Sequence, residues 1–470
     1  MKELLQMLDF TPEEVKKEMP RIQKGFDKLS ITAADVDAAK ERLEKYYEID
    51  RRPMKMMNKI WLREMVNLTL ARDDYEKVVY VTLPAVVSDF AVAAMKVNQK
   101  VYGSFPDLPM IHMYAGLFRK MDRAYEAAER KALNQENAHC GDLQAIMGML
   151  LLDLIPKPDF LFCYGTFCDD APKCHAFLGE MFDFAVAYLD RVQDQLWDEE
   201  GVQERDVEYL AGCYRRGVDQ LSKVIATEIK DEVLWQVMNE RAHYVSTINK
   251  ITELNINADP VPLSMNTLWL LFALAVCSAT AENRELRQEA ADLLLEETQR
   301  RVERGEGFYQ KGAPRIIPGS FNIFVDFAFD YLLRDVGLAV PLFEGNYWLP
   351  DAETNPELPD EPDVYRLMAF LTVNLCVLST VRMRIKTMEK AIKKYNLDGL
   401  LGLPSFTCRP YMADAVLLKD GIKRLGIPAT TLECDLFDYR HYSVEQQRTR
   451  VESFAELCKV AKAKKMAKAA

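Results

Sequence analysis

Short apolar runs closed by proline or glycine and separated by helix-length segments most constrain what this chain can fold into. The clearest is PKPDFLFCYGTFC, where Phe160, Leu161 and Phe162 follow Pro156 and Pro158 and run towards Gly165 and Cys168. A run that short and that continuously apolar reads as a strand buried on both faces, the signature of a parallel sheet. LDGLLGLPSFTC repeats the pattern, with Leu400, Leu401 and Leu403 in the strand and Cys408 after it. Val78 to Val81, closed by Pro84, make another strand, as do Ile316 and Ile317 before Pro318-Gly319, Leu338 to Phe343, and Ala429 to Leu432. Between them the spacing predicts helices over Ala115–Leu133 and Phe177–Trp197. Alternation of this kind predicts α/β architecture.

Helices surround these strands. Thr11-Pro12-Glu13-Glu14 is a capping box with proline at the first helical position, and Thr32 with Asp35 repeats the idea. Met57, Trp61, Met65 and Leu68 form one apolar stripe. Residues 203–305 read as helical, with Leu268 to Val276 fully buried, and a last helix opens at Ser443 with Gln446 at its third position. A chain of 470 residues exceeds what one core accommodates. The expected division is 1–75, an N-terminal helical segment; 76–310, a first α/β domain with a helical extension; and 311–470, a second α/β domain with the C-terminal helix.

A net charge of −12 argues against nucleic acid as a partner, because phosphate binding needs a basic field. The exception, Lys459, Lys462, Lys464, Lys465 and Lys468, reads as a solvated helix end. MKELLQMLDF lacks the apolar stretch of a signal peptide, and the longest apolar run, Leu268 to Cys277, is too short to span a bilayer. The expectation is a cytoplasmic protein, with no membrane partner, whose ten cysteines are mostly thiols.

Chemistry is expected at the carboxyl ends of parallel strands. No phosphate loop, GxGxxG turn, GxSxG elbow or HExxH helix occurs, and the five histidines do not suggest a histidine-rich metal site. Cysteines are the candidates, in two groupings. Cys163, Cys168 and Cys174 are neighbours, but spacings of five and six match no zinc-ribbon or ferredoxin run. Cys140, Cys168 and Cys408 lie far apart in sequence, each where the chain enters or leaves an expected strand. Asp169 and Asp170 read as a helix cap and a first-turn acid. Ser320 and Asn322 follow a strand end, and Arg409 adjoins Cys408; each suits a substrate-binding role, although an arginine there more often sits in an ion pair.

HCGDLQAIMGMLL, KPDFLFCYGTFCDDAPKC and the segment from YNLDGLLGLPSFTC to the final helix resemble the 2-hydroxyacyl-CoA dehydratase and class I benzoyl-CoA reductase subunits over roughly residues 77 to 460. The C-terminal part is the more specific: Gly426, Pro428, Glu433 and Asp435, then Arg448, Arg450, Glu452 and Phe454. The helical block before residue 75 lies outside the pattern, and 203–305 follows it loosely. The resemblance implies two flavodoxin-like parallel-sheet domains and one [4Fe-4S] cluster held by Cys140, Cys168 and Cys408; Cys163 and Cys174 are further thiols beside the second ligand and alternatives to it, and Cys376, where relatives often carry a cysteine, reads as structural.

Three thiolates around four irons leave one iron open, by the logic that separates catalytic from structural zinc. The resemblance then implies one-electron reduction of a CoA thioester through a ketyl radical anion, by an iron–sulfur subunit paired with a homologous second subunit and supplied by a separate ATP-dependent iron–sulfur activator. Two alternatives remain: a double-cubane reductase of the same superfamily acting on small molecules, and a non-catalytic assembly paralogue docking through its N-terminal helices.

Overall fold

The N-terminal 74 residues fold as five helices, α1 (Lys2–Met7), α2 (Pro12–Lys28), α3 (Ala33–Tyr46), α4 (Arg52–Thr69) and α5 (Ala71–Asp74). Both expected capping boxes are formed: Thr11 and Glu14 exchange side chain and backbone bonds, as do Thr32 and Asp35. Nearly every residue of α4 is buried, because it packs between α2 on one side and two later helices on the other. The computed structural model describes residues 1–82, 87–133, 139–165, 170–190, 203–277, 279–319, 323, 325–345, 362–373 and 380–469.

Two parallel sheets follow. The first has the order β2-β1-β3-β4, from β1 (Lys77–Val81), β2 (Val101–Ser104), β3 (Phe160–Tyr164) and β4 (Ala185–Leu189). Its register pairs Val79 with Gly103 on one side and Phe160 on the other. The crossovers carry α6 (Ser88–Val97), a π-helix over Met110–Leu117, α7 (Asp122–Lys131), α8 (Gly141–Leu151) and α9 (Asp170–Phe182). Four long helices come next: α10 (Glu204–Val224), α11 (Asp231–Asn257), α12 (Met265–Cys277) and α13 (Ala281–Arg304). Every residue of α12 is buried, as expected of Leu268 to Val276.

The second sheet has the order β5-β6-β7, from β5 (Ile316–Gly319), β6 (Gly399–Gly402) and β7 (Ala429–Thr431). Around it lie α14 (Ala328–Asp335), α15 (Val364–Val373), α16 (Val381–Lys394) and α17 (Arg409–Arg424), and α18 (Val444–Ala469) starts directly after Ser443. One apolar core runs from Leu4 and Trp61 through Tyr80 and Phe162 to Leu401, Leu432 and Phe454. A smaller one, around Ile317, Leu400, Met388 and Ile422, lies under α16 and α17.

Three expected elements differ. The helix over Ala115–Leu133 is two elements, because Arg119 takes φ 56°, a left-handed conformation that ends the π-helix before α7 begins. The helix from Phe177 stops at Phe182 with Asp183 at φ 55°, and the chain turns into β4; its expected end, 191–197, lies outside the described residues. Leu338–Phe343 forms no strand beyond one bridge, Arg315 to Ala339, since Pro341 has no N–H to extend the ladder. Sequence reading also passed over β2 and β4.

Candidate metal centre

Cys140 and Cys408 occupy equivalent positions, each the residue that precedes a helix, with extended backbone and no hydrogen bond from its side chain into the helix. Cys408 is placed six residues beyond β6 by a turn in which its N–H donates to the Ser405 carbonyl at 2.9 Å. Both thiols stand at the positive end of a helix, where negative charge is favoured. They alone among the eight described cysteines are partly exposed; the other six are buried, and none is bridged. Burial raises the Cys140 thiol well above the ordinary range, with further upward contributions from Asp142 and then from Cys408. The two sheets therefore bring these cysteines within electrostatic range of each other, 268 positions apart in sequence.

The loop after β7 holds them there. Asp435 is fully buried and accepts from the N–H groups of Phe437 (3.0 Å) and Asp438 (3.2 Å). It also accepts from the Ser405 hydroxyl (3.4 Å) and the Thr407 hydroxyl (3.3 Å), which fixes the turn leading to Cys408. Gly141, beside Cys140, packs so closely on this loop that a methyl group there would sit 3.3 Å from Asp435 Oδ1. Burial pushes Asp435 up to about 6. Two residues after Cys140, Asp142 is hydrogen-bonded to Asp107; burial first and then the neighbouring carboxylate raise Asp142 well above the carboxylate range, and burial pushes Asp107 up to about 6.

Asp170 ties the arrangement together from the other side. Its Oδ2 accepts the Cys140 N–H at 3.3 Å, and its Oδ1 lies 3.1 Å from His139 Nδ1 and 3.7 Å from the Arg409 guanidinium. It opens α9, as the first-turn reading expects. Cys168, two residues earlier, lies outside the described residues, as do Ser320, Asn322, Asp169 and Cys376. Of the expected site residues the structure thus places Cys140, Cys408 and Arg409, and it puts Arg409 in an ion pair with Asp170. Cys163 points away into the core, where its sulfur lies 3.3 Å from His175 Nδ1, and burial lowers that imidazole to about 4.

Sequence reasoning did not single out His139, Asp107 or Asp142 for a site. His139 directly precedes Cys140, and Asp142 follows it by two residues in the first turn of α8, which is the only signal the chain offers for them.

A family model for the 2-hydroxyglutaryl-CoA dehydratase D-component matches residues 92–458. The chain belongs to that family. The membership bears out the resemblance drawn from the cysteine-bearing segments and the C-terminal signature. Two curated relatives are a benzoyl-CoA reductase subunit from Thauera aromatica and the (R)-2-hydroxyisocaproyl-CoA dehydratase alpha subunit from Clostridioides difficile. The first is 35% identical over 75 residues, 16% of this chain and 17% of the relative. The second is 22% identical over 163 residues, 35% of this chain and 38% of the relative. The aligned stretches thus span well under half of either relative. Among the described residues, no helix is long and apolar enough to cross a membrane.

Proposed function

We propose that this protein is the iron–sulfur subunit of a 2-hydroxyacyl-CoA dehydratase or benzoyl-CoA reductase type enzyme, with one [4Fe-4S] cluster held by Cys140, Cys168 and Cys408. The observation that carries the reading is the placement of Cys140 and Cys408 at two helix N-termini held by the same Asp435 loop, both partly exposed, while the remaining described thiols are buried. Two such thiols at helix N-termini tied to one loop fit a multi-thiolate centre better than isolated core cysteines, whose burial keeps them inert. When bound, a cluster with three thiolate ligands supplies one-electron reduction at its open iron to a thioester carbonyl.

The chain's own residues would hold and shield this centre. The helix N-termini of α8 and α17 favour its negative charge, and Asp435 fixes the Cys408 turn through Ser405 and Thr407. Arg409, half exposed and anchored by Asp170, stands where a phosphate or carboxylate of a CoA thioester could reach it, with Ser320 and Asn322 as donors from the end of β5. The first sheet's order is that of the first four strands in flavodoxin-like domains, which supports that identity for the first domain; the proposal extends it to the second sheet, with a division near residue 310 and an N-terminal segment ending near 75. The relatives' names are those of subunits, which supports a multisubunit enzyme; a homologous second subunit, an ATP-dependent activator and a cytoplasmic setting complete the proposal.

Anaerobic purification tests the reading. About four irons per chain are expected, and Cys140→Ser, Cys168→Ser and Cys408→Ser should each lose most of them, while Cys213→Ser, Cys277→Ser and Cys458→Ser keep them. An iron-free wild type, or iron retained in both Cys140→Ser and Cys408→Ser, would overturn it.

A further inference from the structure

His139, Asp170 and Cys174 form a second constellation that the cluster does not use. Asp170 and Cys174 stand four residues apart on α9, one helical turn, so both side chains face the same way. His139 reaches them from the residue just before Cys140. The Nδ1–Oδ1, Nδ1–Sγ and Sγ–Oδ1 separations are 3.1, 3.7 and 3.6 Å. Around a tetrahedral zinc ion, with Zn–S about 2.3 Å and Zn–N and Zn–O about 2.0–2.2 Å, the same donor pairs stand roughly 3.3–3.6 Å apart. Each side of this triangle is within hydrogen-bond reach, and a cation at its centre would hold the same three atoms at the same separations.

The surroundings suit an ion as well. Asp170 and Cys174 are 3% and 2% exposed, whereas the His139 side chain keeps 20% of its surface and leaves a route in. Asp170 spends its other oxygen on the Cys140 N–H, and Arg409 lies beside the ligating one, the kind of outer contact that orients a metal ligand. A carboxylate, a thiolate and a neutral imidazole carry two negative charges, which one divalent ion neutralises. One donor each of oxygen, sulfur and nitrogen selects a borderline-soft metal over magnesium or calcium.

We propose that His139, Asp170 and Cys174 bind one divalent cation of the zinc class, separate from the iron–sulfur cluster, with a fourth position open to water or a further ligand. The ion would fix α9 against the segment carrying Cys140. The inference goes beyond the cluster reading and stands without it.

The test is elemental analysis of anaerobically purified full-length protein after exposure to Zn²⁺ and removal of loose metal, with Co²⁺ as a spectroscopic probe. The expected result is one zinc per chain in addition to iron. Cys174→Ser should lose at least nine-tenths of the zinc and the thiolate-to-cobalt absorption while keeping its iron. His139→Gln, which leaves the core thiol in place, should lower zinc affinity at least tenfold, so a folding defect in one variant does not decide the matter. Wild-type protein without zinc, or zinc unaffected by Cys174→Ser, overturns the proposal. So does loss of iron in Cys174→Ser, since that would make Cys174 a cluster ligand. Zinc without iron would sink the cluster reading and leave this one standing.

Discussion

Glu64 shows how a single buried carboxyl sets a pH dependence. It lies in α4 with no exposed surface, accepts from the Ala279 N–H at 2.8 Å and from the Asn283 amide at 2.7 Å, and is pushed up to about 7 by burial. Because its folded value lies above its unfolded one, the folded state binds more protons than the unfolded chain between those values. Stability from this group is therefore highest at acidic pH and falls as pH rises, by about 3 kcal/mol between pH 4.5 and 8. Glu64→Gln keeps the accepting carbonyl and stays neutral, so its urea midpoint should rise relative to wild type above pH 7 and converge with it near pH 5. Parallel curves for the two proteins would contradict this. None of this is legible from sequence: Glu64 reads as a polar residue on an amphipathic helix, and only the packing of Ala279 and Asn283 onto it shows that it is buried. Asp170 was legible as a first-turn acid, but not as the residue that joins His139, Cys140, Cys174 and Arg409, because those contacts span up to 239 positions.

At the scale of elements, most strands flanked by proline or glycine were readable, although β2, with Gly103 inside it and Pro106 after it, was not. β1, β3, β5 and β6 have apolar runs ending in such punctuation and β7 follows Pro428 directly, whereas β4, Ala185–Leu189, follows α9 without a glycine or proline between them, so its helix-like composition runs on. Glycines inside helices carried a second message. Gly148 in α8 lets that helix lie against α7: a methyl group there would fall 1.8 Å from the Ala124 carbonyl oxygen, so backbone would have to move. Gly148→Ala should cost about 3 kcal/mol or more and, by displacing the helix that begins at Cys140, lower iron content with it. Gly212→Ala in α10 meets only the end of the Arg216 side chain at 3.3 Å, so it should be neutral or slightly stabilising. Chemical denaturation of both variants checks the pair; equal midpoints would contradict the close approach.

Over the whole molecule, the two sheets are joined by specific contacts as well as by a shared core. The Tyr125 hydroxyl donates to the Phe437 carbonyl, Tyr439 donates to Asp122 at 2.7 Å, and Arg440 pairs with Glu129 at 2.6 Å. These bonds bring α7 onto the loop after β7, and Gly141 at the start of α8 packs on the same loop, so Cys140 and Cys408 both lie at the seam between the sheets. The N-terminal helices, outside the recognised sequence pattern, belong to the same core: Arg51 pairs with Glu48 and Glu297, and Ser264 donates to Glu48. A parallel-strand pattern could predict that cysteines gather at strand ends, but the docking of one sheet on the other depends on tertiary contacts that no local pattern encodes. The proposed centre places four irons at this seam, held by three thiolates. Mössbauer spectroscopy of anaerobically purified, ⁵⁷Fe-enriched protein measures that most directly. The account predicts the signature of a [4Fe-4S] cluster, with one iron in four distinguishable from the other three by its non-thiolate ligand; a single tetrahedral iron, four fully thiolate-ligated irons, or no iron signal would contradict it.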